Sequence, residues 1–355
     1  DAKVTFTDLT LGYYLVDTSL GSLCSLDTTA PSVTIKEKNS DTTIEKKIVI
    51  TGDEKVDSNS AGIGDTVNFS ITITVKDGAP KGYVLHDKLS GLTFNSNSLE
   101  VKVGTTTLTA NTDYTLETNP ADGDSFDVKF KDGKLKTNDV VVVTYSATVA
   151  ANATIAGAGN KNTAKLVYNE KDSTKEETTT YVWKLNVHKY ALDSTNHEVA
   201  LSGAKFVLYR MDNGVKKYAK LTNKKIVGWV TDKDKATTLE TSGTGDILIE
   251  GLNVGTYYLE ETEAPVGYNK LTEPIEVEIT ATTSVTSGSE TVQYKNSSET
   301  SYTPATDATV KVLNNAGTQL PSTGGIGTTL FYVIGGVLMA VAAVLLVTKK
   351  RMNNK

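Results

Sequence analysis

Short runs of alternating apolar and polar residues recur along most of the chain. NFSITITV (Asn68–Val75), VVVTYSATV (Val141–Val149), KFVLYR (Lys205–Arg210) and TYYLEET (Thr256–Thr262) are examples, separated by clusters of Gly, Asn and Asp. A period of two places successive side chains on opposite faces of a strand. Many such runs with turn residues between them predict an all-β chain of tandem immunoglobulin-like β-sandwich domains. One stretch breaks the pattern. Ile326–Val347 carries no charge and no polar face. About 20 such residues span a bilayer core as a helix, so a C-terminal transmembrane helix is expected over 326–347. The basic tail Lys349, Lys350, Arg351 and Lys355 would stay cytoplasmic, placing everything before the helix outside the cell.

Polar, charge-mixed segments suggest the boundaries. KEKNSDTTIEKK (Lys36–Lys47) and NEKDSTKEETTT (Asn169–Thr180) read as separators, and Thr286–Asp307 as a loop or strand pair. The expected organisation is 1–40, the remnant of an N-terminal domain plus a linker; 41–180, a first β-sandwich; 181–318, a second β-sandwich; and 320–355, a C-terminal signal. The chain opens in mid-pattern with neither an initiator Met nor a leader, and LTLGYYLVDTSLGSLC reads as the last strands of an upstream domain. Cys24 there is expected to be a small buried apolar residue. As the only cysteine, it can form no disulfide within its own chain.

Charge and motif content narrow the function. A net charge of −6 gives no footprint for nucleic acid. His86, His188 and His197 show no ligand spacing with Cys, Asp or Glu, so no metal and no cofactor are expected. No P-loop, GxSxG or Ser/His/Asp signature appears. A turnover enzyme, such as a cell-wall hydrolase, is therefore not expected.

Two segments carry specific motifs. LPSTG, Leu320, Pro321, Ser322, Thr323 and Gly324, stands just before the apolar run and basic tail. This order resembles the cell-wall sorting signal of Gram-positive surface proteins, which a membrane sortase cuts between Thr and Gly before passing the Thr acyl group to an amine. The resemblance implies Thr323–Gly324 as the scissile bond. Pro321 would hold a kink, and Gly324 would leave room for the nucleophile. Further upstream, YYLEETEAPVGY (Tyr257–Tyr268) and LNVHKYALDSTNHEVALSGAKFVLY (Leu185–Tyr209) resemble the E-box and opening strands of collagen-adhesin B-type domains in pilin subunits. The resemblance implies an internal isopeptide bond between a first-strand lysine and a last-strand asparagine, assisted by the E-box glutamate.

The residues fit that implication. On the first strand, Trp183, Leu185, Val187 and Lys189 share one face. The apolar members mark it as the core face, so Lys189 is expected to be buried and biased towards its nucleophilic neutral form. Val310, Val312 and Asn314 share a face of the last strand, making Asn314 the expected partner and Asn315 the second choice. Glu261 is the assisting acid. Residues 41–180 resemble the collagen-adhesin A-type domains of pilin shafts. There Ile44, Lys46, Ile48 and Ile50 share a face, as do Asn162, Ala164, Leu166 and Tyr168. The expected triad is Lys46, Asn162 and Asp87, with Lys47, Asn160 and Asn169 as alternatives. A tie between first and last strands would hold each domain against pulling from its ends.

Together these features resemble a major (backbone) pilin of Gram-positive bacteria, seen without its N-terminal domain. Family pilins carry an acceptor lysine in a YPK-type motif where this chain has VTIKEKN (Val33–Asn39). The Tyr-Pro pair is absent. Aligning the motif makes Lys38 the acceptor, with Lys36 as its neighbour. Expected partners are pilin-specific and housekeeping sortases, other copies of the chain, minor tip and base pilins, peptidoglycan and host matrix proteins. The alternative is a monomeric wall-anchored adhesin that binds a host matrix protein and makes no bond between subunits.

Overall fold

The computed structural model describes residues 4–16, 22–35, 41–76, 80–169, 171–296 and 299–317, with Met339 and Lys349. Lys36, Lys38, Leu320–Gly324 and the apolar run 326–347, apart from Met339, lie outside the described residues. Among the described residues no helix is long and apolar enough to cross a membrane.

An antiparallel hairpin comes first, β1 (Gly12–Val16) with β2 (Ser22–Leu26). Leu9, Leu11, Tyr13 and Leu15 are exposed on or beside it. Cys24, expected to be buried, is half-buried and free, because a two-stranded hairpin has no second layer to cover it.

The first sandwich uses β3 (Thr43–Val49), β4 (Thr66–Thr74), β5 (Val84–Leu89), β6 (Leu92–Val103), β7 (Tyr114–Thr118), β8 (Phe126–Phe130), β9 (Val140–Val149), β10 (Asn160–Tyr168) and β11 (Glu176–Tyr181). One sheet runs β3-β4-β9-β6 and the other β7-β8-β5-β10-β11, with Ser58–Ser60 parallel to β11 at its edge. Alternation directs Ile48, Ile71, Ile73, Val141 and Val143 from one sheet and Leu85, Val128, Ala164 and Leu166 from the other into a shared core. Two details depart from the sequence reading. Ile50 is exposed, because β3 ends at Val49 and a short 3₁₀ turn, Thr51–Asp53, follows. Residues 176–180, expected within a polar separator, form β11 together with Tyr181, which was expected to open the second sandwich, and Thr178 to Tyr181 are buried. Threonine's β-branched side chain suits a strand despite its polarity.

The second sandwich comprises β12 (Trp183–Leu192), β13 (Lys205–Asp212), β14 (Val215–Thr222), β15 (Lys225–Val230), β16 (Asp246–Leu252), β17 (Gly255–Glu263), β18 (Ile275–Thr283), β19 (Gly288–Lys295) and β20 (Thr309–Leu313). Their ladders run β12-β16-β15-β14-β13-β17-β18-β19. The last strand, β20, lies parallel to the first, β12, with Val187 opposite Val310 and Lys189 opposite Val312. Trp183, Leu185, Val187, Phe206, Leu259, Val277, Val310 and Val312 fill the core.

The two sandwiches meet through specific contacts. Ile63 N–H donates to Gly251 O (3.0 Å), Trp183 Nε1 to Ser60 Oγ (2.9 Å), Thr179 Oγ1 to Val285 O (2.7 Å) and the Tyr181 hydroxyl to Ser284 O (3.0 Å). Tyr181 also stacks on Trp183 at 5.6 Å. Tyr181 ends β11 of the first sandwich and Trp183 begins β12 of the second, so only Val182 separates the two folding units.

Candidate functional site

Each sandwich carries one buried cluster of lysine, asparagine and carboxylate. In the first, Lys46 is 1% exposed, and Asp87 and Asn162 are fully buried. Lys46 enters from β3 in one sheet, while Asp87 (β5) and Asn162 (β10) enter from the other, where Asn162 stands opposite Leu89. Lys46 Nζ donates to Asp87 Oδ2 and to the Tyr145 hydroxyl at 2.7 Å. That hydroxyl donates to Asp87 Oδ2 at 2.8 Å and accepts from Asn162 Nδ2 at 2.8 Å. Phe69 and Tyr145 present their rings 5.5 and 5.3 Å from Nζ. Burial among these rings pushes the Lys46 amine down, partly offset by attraction to Asp87. Burial likewise pushes the Asp87 carboxyl up, partly offset by Lys46. Both shifts favour a neutral amine beside a neutral acid.

Tyr145 was not foreseen. It lies on the inward face of β9 at a register shift between Thr144 and Ser146 against β6. A bulge of this kind can re-aim a side chain beside a site. The available sequence signal was a tyrosine at a core position of VVVTYSATV, because a buried phenol needs a hydrogen-bond partner. The alternatives to the proposed triad are engaged elsewhere. Lys47 faces solvent and pairs with Asp57 at 2.7 Å. The Asn160 amide is held by Thr154 and Thr180 backbone groups. Asn169 lies in a turn after β10 with φ +45°.

In the second sandwich, Lys189 Nζ donates to Asn314 Oδ1 and lies 3.3 Å from Glu261 Oε1. Asn314 Nδ2 donates to the same oxygen at 3.3 Å. The other Glu261 oxygen accepts from Leu271 N–H at 2.7 Å, which fixes the carboxyl. All three side chains are buried, so a surface ion pair is excluded. Parallel pairing with β20 brings Asn314, just past the end of that strand, beside Lys189, and Asn314 N–H donates to Tyr190 O at 2.9 Å. Asn315, the second choice, is exposed. Phe206 lies 5.7 Å from Nζ. Burial pulls Lys189 down to about 8, against the opposing pull of Glu261. Each cluster therefore presents a weakly basic amine, a carboxamide and a carboxyl in a water-poor pocket. That is the set needed for acyl transfer from asparagine to lysine.

Comparisons with known proteins agree with this architecture. Residues 183–296 match the SpaA prealbumin-like fold domain, and residues 313–354 match the LPXTG cell wall anchor motif. The chain is 24% identical to the trypsin-resistant surface T6 protein of Streptococcus pyogenes serotype M6, covering 88% of this chain and 70% of that protein. The backbone protein of the group B streptococcus pilus 2b is 25% identical and superimposes with a TM-score of 0.58, over 78% of this chain and 99% of that one. The domain, the anchor motif and these relatives together support an LPXTG-anchored backbone pilin. The full-length major pilin RrgB of Streptococcus pneumoniae, at 18% identity, shares the fold with a TM-score of 0.59, over 84% of this pilin and 78% of RrgB. The pilin is thus a cell-wall-anchored surface protein with a structural role.

Proposed function

We propose that this pilin is the repeating shaft subunit of a sortase-built pilus, and that it locks each sandwich with its own amide bond. In the second sandwich, neutral Lys189 Nζ attacks Asn314 Cγ. Glu261 lends a proton to the carboxamide and takes one from the attacking nitrogen. The Nζ–Cγ bond forms, Cγ–Nδ2 breaks, and ammonia leaves. In the first sandwich, Lys46, Asn162 and Asp87 do the same. One observation carries this reading: two separate cores each bury a lysine, which is costly unless it is paired or neutral, beside an asparagine and an acid. Each event happens once, on the chain itself.

Between subunits, a sortase cysteine would displace Gly324 from Thr323, and Lys38 of the next subunit would displace the cysteine. A housekeeping sortase would pass the final Thr323 to peptidoglycan, and minor pilins would complete the tip and base. Intact mass of the purified full chain tests the internal bonds. The expected mass is two ammonia masses below the sequence value, falling to one in Glu261→Ala. A mass equal to the sequence value would overturn both bonds.

A further inference from the structure

The outer face of β5 carries a second cluster, on the opposite side of the strand from Asp87. His86 pairs in register with Asp127 on β8, and the loop between β7 and β8 brings Asp122 and Asp124 to the same point. His86 Nδ1 lies 2.9 Å from Asp127 Oδ1, 3.3 Å from Asp124 Oδ2 and 3.4 Å from Asp122 Oδ2. All four atoms fall within 4.8 Å of one another. The sequence reading saw no ligand spacing around His86, because strand pairing rather than local spacing makes these residues neighbours.

We propose that His86, Asp122, Asp124 and Asp127 bind a divalent transition-metal ion, with zinc as the best fit. Asp127 is 2% exposed, and both its Oδ1 and His86 Nδ1 are buried without a hydrogen bond. The nearby cation Lys129 approaches the other Asp127 oxygen, at 3.9 Å. A proton on His86 Nδ1 could point at only one of the three surrounding carboxylates, leaving the buried charge poorly matched. A metal ion answers all of them at once. Donors about 2.0–2.2 Å from zinc at tetrahedral angles lie about 3.4 Å from each other, close to the distances from His86 Nδ1 to the three carboxylates.

The donor set selects the ion. Three carboxylates and one neutral imidazole suit zinc or manganese. Calcium prefers a shell made only of oxygen, and magnesium keeps most of its water. Asp122 and its loop are also held in place. Asp122 Oδ1 accepts from Asp124 N–H at 3.1 Å. Ser125 fastens the loop to β5 by donating its N–H to Asp87 O at 2.8 Å and accepting from Leu89 N–H at 2.9 Å. A bound ion would staple the 119–125 loop to β5.

Calorimetric titration of chelator-stripped full-length protein with zinc chloride tests this, alongside His86→Ala, Asp127→Asn and Asp122→Asn. His197→Ala serves as the control, since His197 is 80% exposed beside Asp193. One equivalent should bind, zinc should raise the melting temperature, and His86→Ala should weaken binding by at least about 100-fold. Asp122 is a loop residue about half exposed, so its variant reports on binding even if Asp127→Asn fails to fold. Absence of binding, binding unchanged in His86→Ala and Asp122→Asn, binding lost in His197→Ala, or saturation by calcium but not zinc would each overturn the proposal.

Discussion

Lys46 and Asn162 lie in opposite sheets of the first sandwich, yet both hydrogen-bond to the hydroxyl of Tyr145, at 2.7 and 2.8 Å. The phenol bridges the two groups that are proposed to react and touches the acid as well. Tyr145→Phe keeps the ring stacked on Phe69 at 5.2 Å and removes only the hydroxyl. Losing a hydrogen bond between neutral groups costs about 0.5–1.5 kcal/mol, or roughly 2–10-fold in rate. Ammonia loss from the first sandwich should slow by that factor after refolding, while the second sandwich proceeds unchanged. Time-resolved intact mass distinguishes the two, and equal slowing in both would refute a local role for Tyr145.

Lys189 gives a pH dependence. Its amine falls to about 8 through burial, and only the free base attacks. Protonation at low pH therefore removes the nucleophile. Crosslinking in the second sandwich should accelerate by about 50-fold between pH 6 and pH 8 and then level off. The refolding chain, sampled by mass across that range, checks this. A rate still climbing tenfold per unit at pH 10 would mean that Lys189 keeps an ordinary amine pKa.

Preventing the second bond should also cost stability. Lys189 and Asn314 are 125 positions apart, and closing a loop of that size stabilises by about 5 kcal/mol on the chain-entropy estimate. Asn314→Ala should lower the unfolding free energy of the second sandwich by at least that amount, because it also leaves Lys189 without its carboxamide partner. Urea titration followed by Trp183 and Trp229 fluorescence measures the loss.

The junction between the sandwiches can be probed separately. A Cβ at Gly288 would meet the Tyr181 ring at 2.6 Å, too close to accommodate without movement. Gly288→Val should displace the 284–288 turn from Tyr181 and cost about 1–3 kcal/mol. Both ammonia losses should remain. Calorimetry should show the melting transition shifted down, with the intact mass still two ammonia masses below the variant's own sequence value.

Polymerisation tests the acceptor. When the pilin is co-expressed with a pilin-specific sortase, Lys38→Arg should abolish the ladder of covalent multimers, and Lys36→Arg should leave it. The reverse result would move the acceptor to Lys36.

Much of this was legible from alternation alone. Lys46 sits between Ile44 and Ile48, and Lys189 follows Trp183, Leu185 and Val187 at the same parity, so a period of two assigned both lysines to the core. The same logic applied to Asn162 and Asn314. Glu261 and Asp87 came from motif resemblance, because a carboxylate in a strand looks the same in sequence whether it faces water or the core. Tyr145 and the His86 cluster escaped for a different reason. Their partners come from strands and loops far apart in the chain, brought together by pairing register and a bulge that local pattern does not encode. Ile50 continued the period but lies past the end of β3, just before the turn that follows it.

The pairing of first and last strands also changes what a protease can accomplish. With both amides in place, residues 46–162 and 189–314 become two closed rings, and only the short segment 163–188 joins them as open chain. A single cut inside either ring, such as in the exposed turn at Lys233–Lys235, opens a circle without releasing a piece. A subunit nicked this way would still transmit its covalent connection from one neighbour to the next.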